Sequence, residues 1–346
     1  MSKQQQILDY FEKQPSATGK ELCRYLNISR QALNIHLKSL IASGQVVRSG
    51  STRNARYYSP AHAPAPAVFS RRLALTGLDE SHVYEQAAIA LNLRSALRDN
   101  VGSMMHYAFT EMLNNAIDHS GSERGEVIVR VEAGSAFFRV RDYGVGVFQS
   151  IRSKFDLEDE YAAMVELTKG KTTTMPEAHS GEGIFFTSKV ADRFLLRSHR
   201  IQLEWDRLLD DVFVSKTRFV SGTTVEFTIQ RNAGRHLEQV FSSYAPVHYD
   251  YQFQKTKVHV KLLKSEYVSR SEARRLVTNL DKFREIILDF KGVKSVGQGF
   301  ADELFRVFAK RYPDIGIECI NVSAGIEAML KHVEQKPVRP GGKGAC

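Results

Sequence analysis

Ser59-Pro-Ala-His-Ala-Pro-Ala-Pro-Ala67 limits this chain more than any other stretch. Its prolines fix φ and remove backbone donors, so no helix or sheet ladder can run through it. Alternating Ala-Pro favours an extended, semi-rigid connection. The chain must therefore fold as separate bodies on either side of residues 61–69. Its 346 residues have room for two to three domains. The periodicities described below divide it into modules at 1–60, 70–235 and 250–335. The tail at 336–346, rich in Pro, Gly and Lys, is expected to be disordered. The fold class is α+β, multidomain.

Residues 1–60 carry three helical patterns and a hairpin. Ile7, Leu8 and Phe11 fall at helical spacing between Gln4 and Gln14. Ser16 is the expected cap of a second helix, Lys20 to Leu26. Ser29 caps a third, with Leu33, Leu37, Leu40 and Ile41 facing inward. Gln45–Ser49 and Ala55–Tyr58 read as a hairpin around Gly50-Ser-Thr-Arg-Asn54. Nine Lys and Arg against three Asp and Glu give the segment a net charge of +6. That excess suits phosphate contacts. Ser29, Arg30, Gln31, Asn34 and Lys38 populate the outer side of the third helix, and Arg48, Arg53 and Arg56 sit on the hairpin. Arg and Asn/Gln on one helix face can read guanine and adenine edges. The pattern resembles bacterial winged-helix regulators, with a Ser-Arg-Gln-Ala-Leu start to the recognition helix. Binding to a protein, or dimerisation through this module, is the competing reading. His36 is expected to make a surface contact, because no Cys or His partner stands at metal spacing.

The middle of the chain carries the chemistry. Glu111 and Asn115 lie four apart in Glu111-Met-Leu-Asn114-Asn115-Ala-Ile-Asp118-His119-Ser120, so both face one way on a helix. A carboxylate beside a carboxamide suits a hydrated magnesium ion and a phosphoryl group, though such pairs also occur on ordinary surface helices. Alternating runs at 127–131 and 137–140 precede Arg141-Asp142-Tyr-Gly144-Val-Gly146. Then His179-Ser180-Gly181-Glu182-Gly183 opens a helical pattern that continues through Val190. Backbone N–H groups at Gly181 and Gly183 can approach phosphates, helped by the helix dipole. A helix cap is the plainer use of the same pair. Residues 147–180 form the expected lid. Its Thr168-Lys169-Gly170-Lys171-Thr172-Thr173-Thr174 stretch suits a triphosphate, with Lys171 and Thr172 as contacts, and equally suits a solvated loop. Ser221-Gly222-Thr223-Thr224 leads into a last alternating run.

Four boxes in this order resemble the GHKL ATPase superfamily, the ATP-binding fold of gyrase B subunits, mismatch-repair proteins, one heat-shock chaperone class and sensor histidine kinases. The resemblance covers roughly residues 85–232. It implies an α/β sandwich that binds ATP with Mg2+. It also implies that Asp142 accepts a hydrogen bond from the adenine amino group, which an ionised carboxylate can only accept. Gly144 and Gly146 would let the chain bend beneath the base and start the lid. Thr223 would support Asp142 through a bridging water. Asn115 is then the expected magnesium ligand, and Glu111 would orient water if hydrolysis occurs.

Residues 250–335 alternate strand and helix, which favours an α/β layer. Strands are expected at 257–263, 285–290 and 316–321, and helices at 269–280, 299–308 and 323–333. This stretch is similar to STAS-like domains. In STAS domains the phosphorylated serine lies between a buried strand and a helix. Here Gln298 and Gly299 stand at that point and Ser295 is a few residues early, so the resemblance implies a fold and a protein partner without an acceptor serine.

A net charge of +9 and a pI near 9.3 point to a polyanion partner, double-stranded DNA above all. Cys23, Cys319 and Cys346 make no disulfide framework or metal spacing, which suits a reducing cytoplasm. No apolar run approaches membrane-spanning length and the start is not a signal peptide, so no membrane partner is expected. A homodimer is left open. Three functions compete: a DNA-binding regulator gated by Mg-ATP, a protein kinase acting on a partner in trans, and an ATPase effector acting on DNA or foreign elements. The first is the expectation.

Overall fold

The computed structural model describes residues 2–49, 55–62, 67–172, 181–262 and 265–334. Arg53, Cys346 and the 336–346 tail lie outside the described residues.

At the N-terminus the apolar spacing closes a small core. Helices α1 (Lys3–Lys13), α2 (Gly19–Leu26) and α3 (Arg30–Ala42) pack Ile7, Phe11, Leu22, Leu33 and Leu37 together. Strands β1 (Ser16–Thr18), β2 (Val47–Ser49) and β3 (Arg56–Tyr58) form an antiparallel sheet in the order β1-β3-β2. Ser16 is not the cap of α2. It sits in β1, and Thr18 caps the helix in a reciprocal box with Glu21.

The central domain has two layers. It comprises β4 (Val68–Ala74), α4 (Glu80–Ala90), α5 (Leu93–Ala96), α6 (Asp99–His119), β5 (Arg124–Val131), β6 (Ser135–Asp142), α7 (Val147–Phe155), α8 (Glu160–Lys169), α9 (Gly183–Val190), β7 (Arg193–Asp206) and β8 (Asp211–Gln230). The strands make one antiparallel sheet in the order β4-β5-β6-β8-β7. Helix α6 lies on it through Met105, Phe109 and Met112, all fully covered. Phe109 meets Phe138 edge-on at 5.4 Å, and Phe138 stacks on Phe227 at 4.8 Å.

One boundary is corrected in this domain. Val68 and Phe69, assigned to the linker, already pair with β5. Of β4 only Phe69 is buried, so the strand shows no alternation to read. In the described part of the expected lid, residues 147–172, α7 and α8 occupy most of the chain, and residues 173–180 lie outside the described residues.

The C-terminal part comprises α10 (Leu237–Tyr244), β9 (Lys255–His259), β10 (Glu266–Tyr267), α11 (Arg270–Val277), β11 (Glu285–Asp289), β12 (Ser295–Val296), α12 (Gln298–Asp302), α13 (Ala309–Arg311), β13 (Gly316–Ile320) and α14 (Ala324–Glu334). Residues Glu303–Phe308 join α12 to α13 as π-helix. The main sheet is parallel, in the order β13-β11-β9. Ser295 is exposed beside Glu266, and the helix begins at Gln298.

The central and C-terminal domains share aromatic packing. Phe186 of α9 stacks on Phe241 at 4.3 Å, and Phe185 meets Phe253 at 4.6 Å. The C-terminal core therefore includes two side chains of the central domain.

Candidate functional site

A cavity of about 280 Å³ opens between α6, the end of β6 and the start of α9. Asp142 forms its floor. Strand β6 ends at this residue, and its carboxylate is only 4% exposed. Oδ1 accepts the Gly144 N–H at 2.9 Å and the Thr223 N–H at 3.2 Å. Burial pushes the carboxyl above its ordinary pKa, and those two N–H bonds pull the other way. Both bonds fall on one oxygen of a group that lines the cavity. An acceptor is thus fixed in direction where a flat ligand edge could meet it.

The glycines are needed because atoms lie where a β-carbon would be. A β-carbon at Gly144 would collide with the Ser120 carbonyl, and one at Gly222 with Asp142 itself. Gly146 has φ +81° and Gly181 φ +74°, conformations that glycine adopts without strain. A β-carbon at Gly183 would strike the Glu111 carboxylate. The first turn of α9 therefore lies directly against Glu111. Asn115 lines the cavity one helical turn further on. Glu182, between the two glycines, also lines it. Burial, then Glu111 and Glu182, push the Tyr107 phenol far above its ordinary pKa, so the two carboxylates share one neighbourhood. Glu182 was present in the glycine box, but nothing in its spacing marked it as a cavity residue.

Thr223 contacts both Asp142 and the start of α7. It supports Asp142 directly through its backbone N–H, while its hydroxyl accepts the Val147 N–H at 2.9 Å, at the start of α7.

Lys171 is also placed elsewhere. Its ammonium donates to the Lys282 carbonyl at 2.9 Å and lies 4.8 Å from the Phe283 ring centre. It is turned toward the C-terminal domain, and Thr172 is the neighbour that lines the cavity. The rest of this arm is bound the same way. Lys169 is 1% exposed and ion-paired with Glu166. Lys169 Nζ also donates to the Thr278 carbonyl at 2.8 Å, and Asn279 Nδ2 donates to Glu166 at 3.0 Å. Thr256 Oγ1 donates to the Lys169 carbonyl at 2.6 Å. The Glu166–Lys171 segment is thus a strap between the cavity and the C-terminal domain, with the Glu166–Lys169 pair buried.

At the N-terminus, α3 presents Arg30, Gln31, Asn34 and Lys38 to solvent. Arg30, Asn34 and Lys38 recur every four residues and so form one stripe. The Ser29 hydroxyl accepts the Ala32 N–H at 3.2 Å and so acts as the helix cap. Arg48 is exposed, and it adds to the burial that lowers Arg231 of the central domain. Arg56 donates to Ser16 at 3.2 Å across β1 and β3.

Residues 3–56 match the MarR family. Residues 272–327 match the STAS-like domain of unknown function (DUF4325). No curated protein matches the chain. The two ends are therefore a MarR-type winged-helix domain and a STAS-like domain, joined by a mixed α/β domain that neither match covers. A MarR-like regulator domain with a STAS-like domain fits a DNA-binding regulator. Among the described residues no helix is long and apolar enough to cross a membrane.

Proposed function

We propose that this protein is a cytoplasmic DNA-binding regulator in which Mg-ATP, held by a GHKL-type central domain, sets the DNA affinity of the winged helix. The observation that carries this reading is the buried Asp142 acceptor on the floor of a cavity whose opposite wall is a glycine-flanked helix start. In that reading Asp142 accepts the adenine amino group, and Gly144 and Gly146 let the chain pass beneath the base. The N–H groups at Gly181 and Gly183 meet phosphate oxygens, with Thr172 beside them. The residues fit magnesium as well as nucleotide. Among the described residues no three His, Cys, Asp or Glu side chains converge as metal ligands. Asn115 and the phosphates themselves would hold the ion, which would offset phosphate charge. Glu111 is positioned to orient or deprotonate a water, so turnover, where it occurs, depends on it.

The route out of the cavity is the strap. Thr172 faces the nucleotide side, while Glu166, Lys169 and Lys171 bind the STAS-like domain. Contact with phosphates would shift the strap, and the STAS-like domain with it. Lys171 serves this anchor in place of the phosphate role expected from composition. Coupling of this kind is reciprocal and typically amounts to about 1–3 kcal/mol, or roughly 5- to 150-fold in affinity.

The test is DNA binding by the full chain, using a fragment from upstream of its own gene at one fixed salt concentration. Four states are compared: no nucleotide, ATP–Mg, ADP–Mg and a non-hydrolysable ATP analogue. The expected result is a nucleotide-dependent affinity, with the analogue matching ATP. Equal affinity in all four states overturns the gating. Transfer of the γ-phosphoryl group to a partner protein would instead favour the kinase reading.

A further inference from the structure

A second cavity, of about 360 Å³, lies at the junction of α9, the β7–β8 hairpin, α10 and β9. It is separate from the Asp142 cavity and shares no lining residue with it. We propose that it binds a small oxyanion, a carboxylate or a phosphate, on the Lys189 ammonium.

The case rests on which charges around this cavity already have partners. Asp211 pairs with Lys261, and Asp210 with Lys257 at 3.4 Å. Asp289, at the end of β11, takes Lys257 at 3.1 Å and His259 at 3.3 Å. Asp192 holds Arg207 at 3.1 Å and Arg235 at 2.9 Å. Asp206 accepts the Leu208 and Leu209 N–H groups in the hairpin turn. Each of these carboxylates is engaged. Lys189 is not: among the described residues its ammonium makes no hydrogen bond or ion pair. It lies 5.0 Å from the Phe185 ring centre and 5.9 Å from that of Tyr244. Burial, then the neighbouring Lys257, lower its pKa to about 8, against weaker opposing pulls from Asp210 and Asp289. Lys189 is half-buried, and its ammonium has aromatic neighbours but no hydrogen-bond or ion-pair partner among the described residues, so a bound anion would complete its contacts. Trp205, Val212, Val240 and Tyr244 also line the cavity and would meet any apolar part of the ligand.

The chain supplies its own reporter, because Trp205 is its single tryptophan and lines this cavity. The experiment titrates the full chain, at constant ionic strength and neutral pH, with inorganic phosphate and separately with succinate. Trp205 emission is the readout. A saturable response to one or both anions is expected, and which anion saturates identifies the ligand chemistry. Lys189→Met should weaken that binding about tenfold or more, the scale of one charge-assisted hydrogen bond. Lys189→Arg should retain it, which separates loss of charge from loss of folding. Lys189 lines only the second of the two cavities, so loss of the response in Lys189→Met also excludes the nucleotide cavity as its source. No saturable response to either anion, or equal affinity in Lys189→Met, overturns the proposal.

Discussion

Asp142→Asn tests the nucleotide cavity with little structural disturbance. The side chain is 4% exposed, and the Gly144 and Thr223 N–H groups fix its Oδ1. In the variant the amide oxygen keeps those two bonds, so the amide nitrogen must occupy the other position. An adenine amino group arriving there meets a donor in place of an acceptor. The lost bond to a charged acceptor is worth about 1.5–3 kcal/mol, and the two facing donors add about 1–3 kcal/mol. Together these predict a loss of roughly 60- to 20,000-fold in ATP affinity. Folding should not suffer. Because burial raises the carboxyl's pKa, the folded state binds that proton more tightly than the unfolded chain does. The associated stability is complete below the unfolded pKa and is lost as pH rises through the folded one. At neutral pH the neutral amide should therefore match or exceed the wild type in thermal stability without nucleotide. Calorimetric titration with ATP–Mg, alongside thermal melts of both proteins, checks both halves. A variant that stays folded and binds ATP within about tenfold of the wild type would refute the adenine assignment. The same donor should improve relative binding of GTP, whose base presents an oxygen at that edge.

Other outcomes follow from the same geometry. Arg30→Ala and Lys38→Ala should each weaken DNA binding and reduce the slope of log affinity against log salt by about one, measured by fluorescence anisotropy across salt. Unchanged slopes in both would remove α3 as the DNA-reading helix. Asn279→Ala removes one bond to the buried Glu166–Lys169 pair, at a cost of about 1 kcal/mol. It should shrink the nucleotide effect on DNA affinity while leaving ATP affinity nearly intact, and a full effect in this variant would argue against the strap as the route. For Asp289, burial works against ionisation, but bonds from His259, Asn321, the Lys291 N–H and Lys257 outweigh it and hold the carboxyl far below the usual range. Its contribution to stability is present above the unfolded pKa of about 3.9 and lost as pH falls below it. Melts across the acid range should show a flatter pH dependence for Asp289→Asn than for the wild type.

Much of the architecture is legible in local pattern. The helices of the N-terminal module follow from apolar residues at helical spacing, and its wing from two β-rich runs around a turn. The parallel strands β9, β11 and β13 appear as short apolar runs between helical patterns. Asp142, Gly144 and Gly146 stand out through the resemblance of their box to the GHKL pattern, since by itself Asp-x-Gly-x-Gly reads equally as a strand-end turn. Elements without periodicity went unread. Strand β4 buries one side chain of seven, and α8 carries a buried salt bridge where composition suited either phosphate contacts or a solvated loop.

The sequence by itself determined the order of the elements, the winged helix, the α/β C-terminal domain and several residues that line the first cavity, among them Glu111, Asn115, Asp142, Gly181 and Gly183. These depend on spacing along the chain, which short-range geometry turns directly into faces and turns. Only the tertiary structure decided where Lys169, Lys171 and Lys189 point. A lysine in a polar stretch has the same local signature whether it meets a phosphate, a carbonyl of another domain or an aromatic ring. Which partner it finds depends on surfaces brought together from distant parts of the chain, and on which charges there are already paired.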